Sequence, residues 1–233
     1  MALTKTGKKR AETLRVKRLS SIEQQVHEKG FLLIAGIDEV GRGPLAGPLV
    51  AAACILSEGI LLRGINDSKK LTHDQRYRLY QDLILHPKII FGIGIVEARE
   101  IDRLNIHHAT LEAMLRAIRR LGQTPDFLLV DGKHIPKCEI PAESIIGGDS
   151  KVQAIAAASI IAKVTRDHIM IGYHELYPQY CFNEHKGYGT KKHLDALHKF
   201  GTCPIHRLSF NFLKGEEDDT EHDCICSSEQ RSD

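Results

Sequence analysis

The sequence predicts an α/β fold, and three observations carry that prediction. Short aliphatic runs at 31–35, 48–56, 88–96 and 127–130 have the length and bulk of buried strands. Between and after them lie longer stretches whose apolar residues recur at helical intervals, at 72–85, 107–121 and 151–171. The chain has 233 residues, 42% hydrophobic and 27% charged, enough for one domain with a substantial core and an appended segment or two.

Taken in order, residues 1–20 hold seven Lys or Arg and one acid, Glu12. Leu14, Leu19, Ile22 and Val26 repeat at helical spacing, so residues 11–28 are expected as a basic helix packed on the body and stopped by Gly30, after ten mobile residues. A solvated face explains the charge more simply than a nucleic-acid arm. Residues 1–30 thus read as an arm and helix ahead of the main domain.

The run at 31–35 predicts a strand bounded by Gly36. Asp38-Glu39 follows, then Gly41-Arg42-Gly43. Two acids at a strand end, followed by glycines, suit a divalent-cation site with backbone close to a phosphate or sugar; an acidic turn after an edge strand fits equally. A dinucleotide-binding loop does not fit. The third glycine stands at 47 rather than 46, and the acids would face a pyrophosphate.

Residues 48–56 follow closely enough to pair antiparallel with the first strand. The polar stretch Asn66-Asp67-Ser68-Lys69-Lys70-Leu71 precedes Thr72-x-x-Gln75, the signature of a capping box. The helix it opens should present Leu79, Tyr80, Leu83 and Ile84 on one face and end before Pro87. Lys69 and Lys70, just outside it, either meet phosphate or are solvated. Residues 88–96 form a third strand with Gly92 and Gly94 removing bulk from one face. A short helix at 98–104 and a longer one at 107–121, with Leu111, Met114, Leu115, Ile118 and Leu121 as its core stripe, come next.

The strand at 127–130 ends in Asp131-Gly132, the second apolar run to deliver a carboxylate at its C-terminal end. If it lies parallel to and beside the first strand, Asp38, Glu39 and Asp131 converge, because ligands gather at the carboxyl ends of strands in open α/β sheets. Gly147-Gly148-Asp149-Ser150 then opens a small-residue helix over 151–171. Asp149 reads either as an N-cap, as Ser150 does, or as a further metal ligand. Lys151, Ser159 and Lys163 suit a phosphate-facing side. The segment His185-Lys186-Gly187-Tyr188-Gly189-Thr190-Lys191-Lys192 suits stacking on a sugar or base, or a glycine-rich turn before a helix at 191–200.

Charge is unevenly spread. Residues 215–233 hold eight acids against Arg231, a net of −7 and too few apolar residues to fold, so a disordered tail is expected. Residues 1–214 then hold 31 basic against 22 acidic residues, +9, which favours a polyanionic partner. No apolar run approaches the ~20 residues that span a bilayer, and the N-terminus is polar and basic without a secretory apolar region, so a cytoplasmic, membrane-free protein is expected; a monomer is expected separately. The six scattered cysteines read as reduced thiols. His185, His193, His198, Cys203 and His206 lack the paired spacing of a structural zinc site.

Six segments in this order closely resemble the ribonuclease HII family, the type 2 ribonucleases H, over about residues 32–212. They are Gly36-Ile37-Asp38-Glu39-Val40-Gly41-Arg42-Gly43, Asn66-Asp67-Ser68-Lys69-Lys70-Leu71, Val130-Asp131-Gly132, Gly148-Asp149-Ser150, the helix segment 157–167, and His185-Lys186-Gly187-Tyr188. The resemblance implies a ribonuclease H-like fold, a five-stranded mixed sheet flanked by helices with a helical C-terminal part, over residues 31–214. It implies an endonuclease that cleaves RNA in RNA–DNA hybrids and incises 5′ to ribonucleotides embedded in duplex DNA, leaving 3′-hydroxyl and 5′-phosphate ends. Asp38, Glu39, Asp131 and Asp149 would be the catalytic carboxylates holding two Mg²⁺ or Mn²⁺ ions. Gly41, Arg42 and Gly43 would surround the ribonucleotide's 2′-hydroxyl, and Tyr188 would pack on the next deoxyribose. Lys69, Ser159 and Lys163 complete the expected substrate-binding set. The residues alone also admit a duplex-binding protein without cleavage, or a related enzyme acting on DNA junctions. Metal dependence separates the first, and ribonucleotide dependence the second.

Overall fold

The computed structural model describes residues 5–210 apart from positions 58 and 67, with side chains from residue 10 onward. Five strands form one sheet in the order β3-β2-β1-β4-β5: β1 (Ile34–Val40), β2 (Leu49–Leu56), β3 (Ile89–Val96), β4 (Phe127–Asp131) and β5 (Ala142–Ile145). β1 pairs antiparallel with β2 and β2 with β3, whereas β4 lies parallel to both β1 and β5. The adjacency on which convergence of the acids depended is therefore present.

β2 is apolar at every position because both of its faces are covered, and the two-residue period divides them. Leu49, Ala51, Ala53 and Ile55 pack with Ala109, Ala113, Met114 and Ala117 of α4 (Ala98–Arg119). Val50, Ala52 and Cys54 pack with the small residues of α5 (Gln153–Leu176), under α3 (His73–Leu85). The glycines of β3 do what their spacing predicts: a Cβ at Gly92 or Gly94 would collide with the Ala117 or Ala113 carbonyl oxygen of α4. The Thr72–Gln75 capping box is formed in full. α6 (Phe182–His185) and α7 (Lys191–Phe200) build a smaller core with Ala46, Met170, Tyr180 and Ile205 beside one end of the sheet.

Several boundaries differ from the sequence reading. β1 continues through Gly36 to Val40, since pairing with β2 extends to Val40↔Val50 and satisfies the backbone beyond the glycine. Asp38 and Glu39 are therefore strand residues, with fixed directions. The N-terminal helix starts at Lys5 and is divided into α1 (Lys5–Leu19) and α2 (Ser21–Glu28), stopped at Gly30, whose φ is +98°. Leu14 is exposed rather than packed, because Arg15 and Glu12 dock α1 instead: Arg15 donates to the Ile65 carbonyl at 2.6 Å, and Glu12 accepts from the Gly64 amide at 2.7 Å. The two helices expected over 98–121 are one span broken at Asn105, which takes φ 63°. β5 has no apolar alternation and went unread in the residues, although the family resemblance implied a fifth strand. α5 begins at Gln153 and runs to Leu176, while Gly148–Ser150 is a separate 3₁₀ turn, so neither Asp149 nor Ser150 is its N-cap. The acidic tail falls outside the described residues.

Candidate functional site: carboxylates beside a clamped glycine loop

β1 and β4 carry acids to the same end of the sheet because they are parallel neighbours. Their register ends at Ile37↔Val130, so Asp38 and Asp131 are the next residue on each strand. Alternation turns Gly36 and Asp38 toward α5, where Asp38 meets the Ser159 hydroxyl and accepts the Glu39 amide at 2.8 Å. The Gly148 amide donates to Asp131 Oδ1 at 2.6 Å, bringing the turn that contains Asp149 alongside. Asp38 and Asp149 are buried.

This concentration of negative charge is unfavourable in the protein alone. Burial raises the Asp38 carboxyl well above the usual carboxylate range, and the charges of Glu39 and Asp131 raise it further. Burial also raises Glu39, opposed chiefly by Arg42, whose guanidinium lies 3.5 Å away. Hard carboxylate oxygens that repel one another at low dielectric are a donor set suited to a divalent cation. Among the described residues, however, no three His, Cys, Asp or Glu side chains are grouped tightly enough to form a metal cage. The fold gathers the acids at one end of the sheet, at the carboxyl ends of two interior strands.

The neighbouring loop is positioned by two buried arginines. Arg166 of α5 donates to the carbonyls of Pro48 at 2.9 Å, Lys186 at 2.9 Å and Ala46 at 3.1 Å. Arg207 donates to Gly41 at 2.6 Å, Arg42 at 3.1 Å and Gly47 at 2.8 and 3.0 Å. Such saturation with acceptors is what allows a guanidinium to be fully buried. Burial still lowers Arg166 to about 10 and Arg207 to about 9, the latter helped by the charge of Arg166. Gly41, at φ +95°, lies against Arg166, and a Cβ there would strike the guanidinium and approach its Cδ to 2.7 Å. The Arg166 guanidinium also lies 5.8 Å from the centroid of the Tyr188 ring.

Tyr188 is 42% exposed, and its ring edge comes within 4.0 Å of the point where Gly43 would carry a Cβ. Its carbonyl accepts the Thr190 amide at 2.8 Å and lies 3.0 Å from His193 Nδ1. The structure thus brings Gly41, Arg42, Gly43 and Tyr188 together beside the acids. Lys69 is exposed on a loop held by Arg76, which donates to the Ser68 and Leu71 carbonyls.

Two expected substrate contacts are placed differently. Ser159 is 6% exposed, and its hydroxyl lies between Asp38 and Ser68 Oγ, 3.0 Å away, so it orients a carboxylate instead of facing a phosphate. Lys163 forms an ion pair with Asp167 at 2.6 Å, one helical turn on. Ser159 is turned inward by the packing of α5 against the sheet, whereas Lys163 stays partly exposed and is held by its ion pair. The sequence reading gave no role to Arg207 or Ser68 and none to the Arg166 guanidinium. An Arg close behind the small-residue, apolar first half of α5 was the available signal for Arg166; Arg207 had none. The late histidines are a packing cluster: His185 stacks on His193 at 4.6 Å, and His193 Nε2 lies 3.1 Å from His206 Nε2, while His198 is exposed.

Comparison with known proteins bears on this arrangement. The family model described as Ribonuclease HII matches residues 35–213. A ribonuclease HII of Chlamydia caviae is 55% identical over 188 residues, covering 81% of this chain and 88% of the relative. One from Chlamydia pneumoniae is 48% identical over 204 residues, covering 88% and 95%. The crystal structure of ribonuclease H2 from Pyrococcus horikoshii superposes with a TM-score of 0.65 at 28% identity, covering 77% of this chain and 94% of that one.

Proposed function

The chain belongs to the ribonuclease HII family of endoribonucleases, and from that premise we propose that it incises duplex DNA 5′ to an embedded ribonucleotide as well as cleaving the RNA strand of RNA–DNA hybrids. The observation that carries this reading is the juxtaposition of the acids at the ends of β1 and β4, Asp38 among them buried, with the arginine-clamped Gly41-Arg42-Gly43 loop and Tyr188.

Asp38, Glu39, Asp131 and Asp149 would hold Mg²⁺ or Mn²⁺, two ions in the catalytic state. When bound, these ions supply an activated water and charge neutralisation at the leaving 3′-oxygen. The chain's own residues do the rest. Ser159 and the Glu39 amide orient Asp38, and the Gly148 amide orients Asp131. The Gly41–Gly43 backbone, lacking side chains at both glycines, can approach a sugar closely and hydrogen-bond a 2′-hydroxyl, the group that distinguishes RNA from DNA. Arg42 and Lys69 meet phosphates. Tyr188 packs on the following sugar, where its ring favours a deoxyribose over a second ribose without excluding the latter. The protein acts as a monomer in the cytoplasm.

The test is a duplex carrying one ribonucleotide, incubated with Mg²⁺ or Mn²⁺. The expected product is a single incision on the 5′ side of the ribonucleotide, with a 3′-hydroxyl end, and no reaction with chelator. Equal cutting of an all-DNA duplex would sink the ribonucleotide-sensing reading.

A further inference from the structure

α5 supplies no side-chain cap of its own. Val152 stands at the N-cap position in extended conformation and cannot accept a hydrogen bond through its side chain. The acceptor comes from another element. Glu23 of α2, only 9% exposed, receives the Ala154 amide on Oε1 at 2.9 Å and a second bond from the Gln153 amide. Burial raises the Glu23 carboxyl to about 7, opposed by the two amide donors; ionised or not, its oxygen accepts the amides at a helix N-terminus that lacks a cap of its own.

The turn that Glu23 holds touches the candidate site in two directions. Gly36 of β1 abuts Ala154 and Ile155 so closely that a Cβ there would collide with their backbone, and Asp38 lies two residues farther along the same strand face. The Val152 amide donates to the Gly148 carbonyl at 2.7 Å, and the Gly148 amide holds Asp131. Asp149 is the next residue. One helical turn therefore connects three of the four acids, and its cap lies outside the stretch matched by the family model, which begins at residue 35.

We infer that Glu23 is a positioning residue for the carboxylate site, acting from the N-terminal helices through the first turn of α5 to set Asp149, Asp131 and Asp38 relative to one another. The inference rests on the metal-binding role proposed above. Glu23 also borders a cavity of about 400 Å³ lined by Lys17, Ser20, His27 and Gln153. Truncation would enlarge a space already present, which favours a folded variant.

The experiment uses the full chain with Glu23→Ala, Glu23→Gln and Glu23→Asp, and Arg15→Ala as a control that loosens α1 without touching α5. Calorimetric titration with Mn²⁺ alone, thermal melts, and cleavage of the ribonucleotide duplex across a Mn²⁺ series are compared. Glu23→Ala should weaken Mn²⁺ binding by about tenfold and shift the half-maximal Mn²⁺ for cleavage equally, with the rate at saturating metal within about twofold. Glu23→Gln, which keeps an acceptor oxygen, should restore most of the affinity; Arg15→Ala should lower Tm without changing it. A Glu23→Ala protein with lowered Tm and unchanged Mn²⁺ affinity would overturn the inference. Should that variant not fold, Glu23→Asp carries the same test at about threefold, and unchanged affinity there overturns it as well. Tight Mn²⁺ binding without cleavage by the unsubstituted chain would defeat the proposed function while leaving the Glu23 comparison decisive.

Discussion

The two halves of the site bury opposite charges in opposite ways. At the ends of β1 and β4 the acids lie near one another with Asp38 buried, so the charges of Glu39 and Asp131 add to the cost of ionising it. Beside them, Arg166 and Arg207 are fully buried but surrounded by carbonyl oxygens, and burial holds the histidines behind Tyr188 below their ordinary range. The first region keeps like charges in opposition, as the proposed metal-binding role requires; the second is satisfied internally and clamps a loop. The same fold can therefore gain or lose stability from a charge change depending on which half it strikes.

The largest effect should come from the acids. Asp149→Asn should reduce cleavage on the order of 100-fold or more while leaving Tm unchanged or slightly raised, because it removes charge from a crowded anionic site. Asp167→Asn should do the reverse, lowering Tm with little change in rate, since Asp167 pairs with Lys163. Melts and cleavage rates on both proteins decide it, and a stable but inactive Asp167→Asn beside an active Asp149→Asn would erase the contrast.

Arg207→Met should act through structure. It leaves the Gly41, Arg42 and Gly47 carbonyls without their donor, at a cost of about 3 kcal/mol in denaturant unfolding. Mn²⁺ affinity should hold, while the preference for a ribonucleotide over all-DNA substrate falls. Arg207→Lys should rescue little, because an ammonium cannot reproduce the fork of donors.

Acid should separate the halves by sign. Burial lowers His193 to about 4, from an ordinary value of 6.5. Above pH 6.5 it is neutral both folded and unfolded; as pH falls toward 4 the unfolded chain binds the proton first, and stability is lost, up to roughly 3 kcal/mol. Asp38 and Glu39 are raised, so their burial destabilises the fold above their folded values and is relieved as they protonate. Hydrogen exchange between pH 7 and 4 should show protection falling across residues 182–206 and holding or rising at the end of β1. A uniform change over both regions would contradict the division.

The smallest effect on the fold should follow Tyr188→Ala, as the ring is 42% exposed. Discrimination at an RNA–DNA junction should fall by about tenfold, equivalent to the ~1–3 kcal/mol of an aromatic stacking surface. Metal titration should not move. A shifted metal midpoint with intact preference would refute the assignment.

Much of this was written locally. The capping box at Thr72, the helix at Lys191–Phe200, the glycine-lightened face of β3 and the strand carrying Asp131 all depend on neighbours in sequence, and each formed where those neighbours indicated. The order of acids and glycines likewise marked Asp38, Glu39, Asp131, Gly41 and Gly43 before any contact was known. What needed the tertiary structure is every relation between distant segments. The extension of β1 through Gly36 depends on hydrogen bonds with β2, and the inward turn of Ser159 on how α5 meets the sheet. The cap of α5 by Glu23 spans 131 residues, and the clamp of Arg207 on Gly41 spans 166. Helix and strand preferences are set within a few residues, whereas buried charges must find partners wherever folding brings them. The residue types were visible in the sequence; whether each would face a substrate, a carbonyl or another acid was decided by packing.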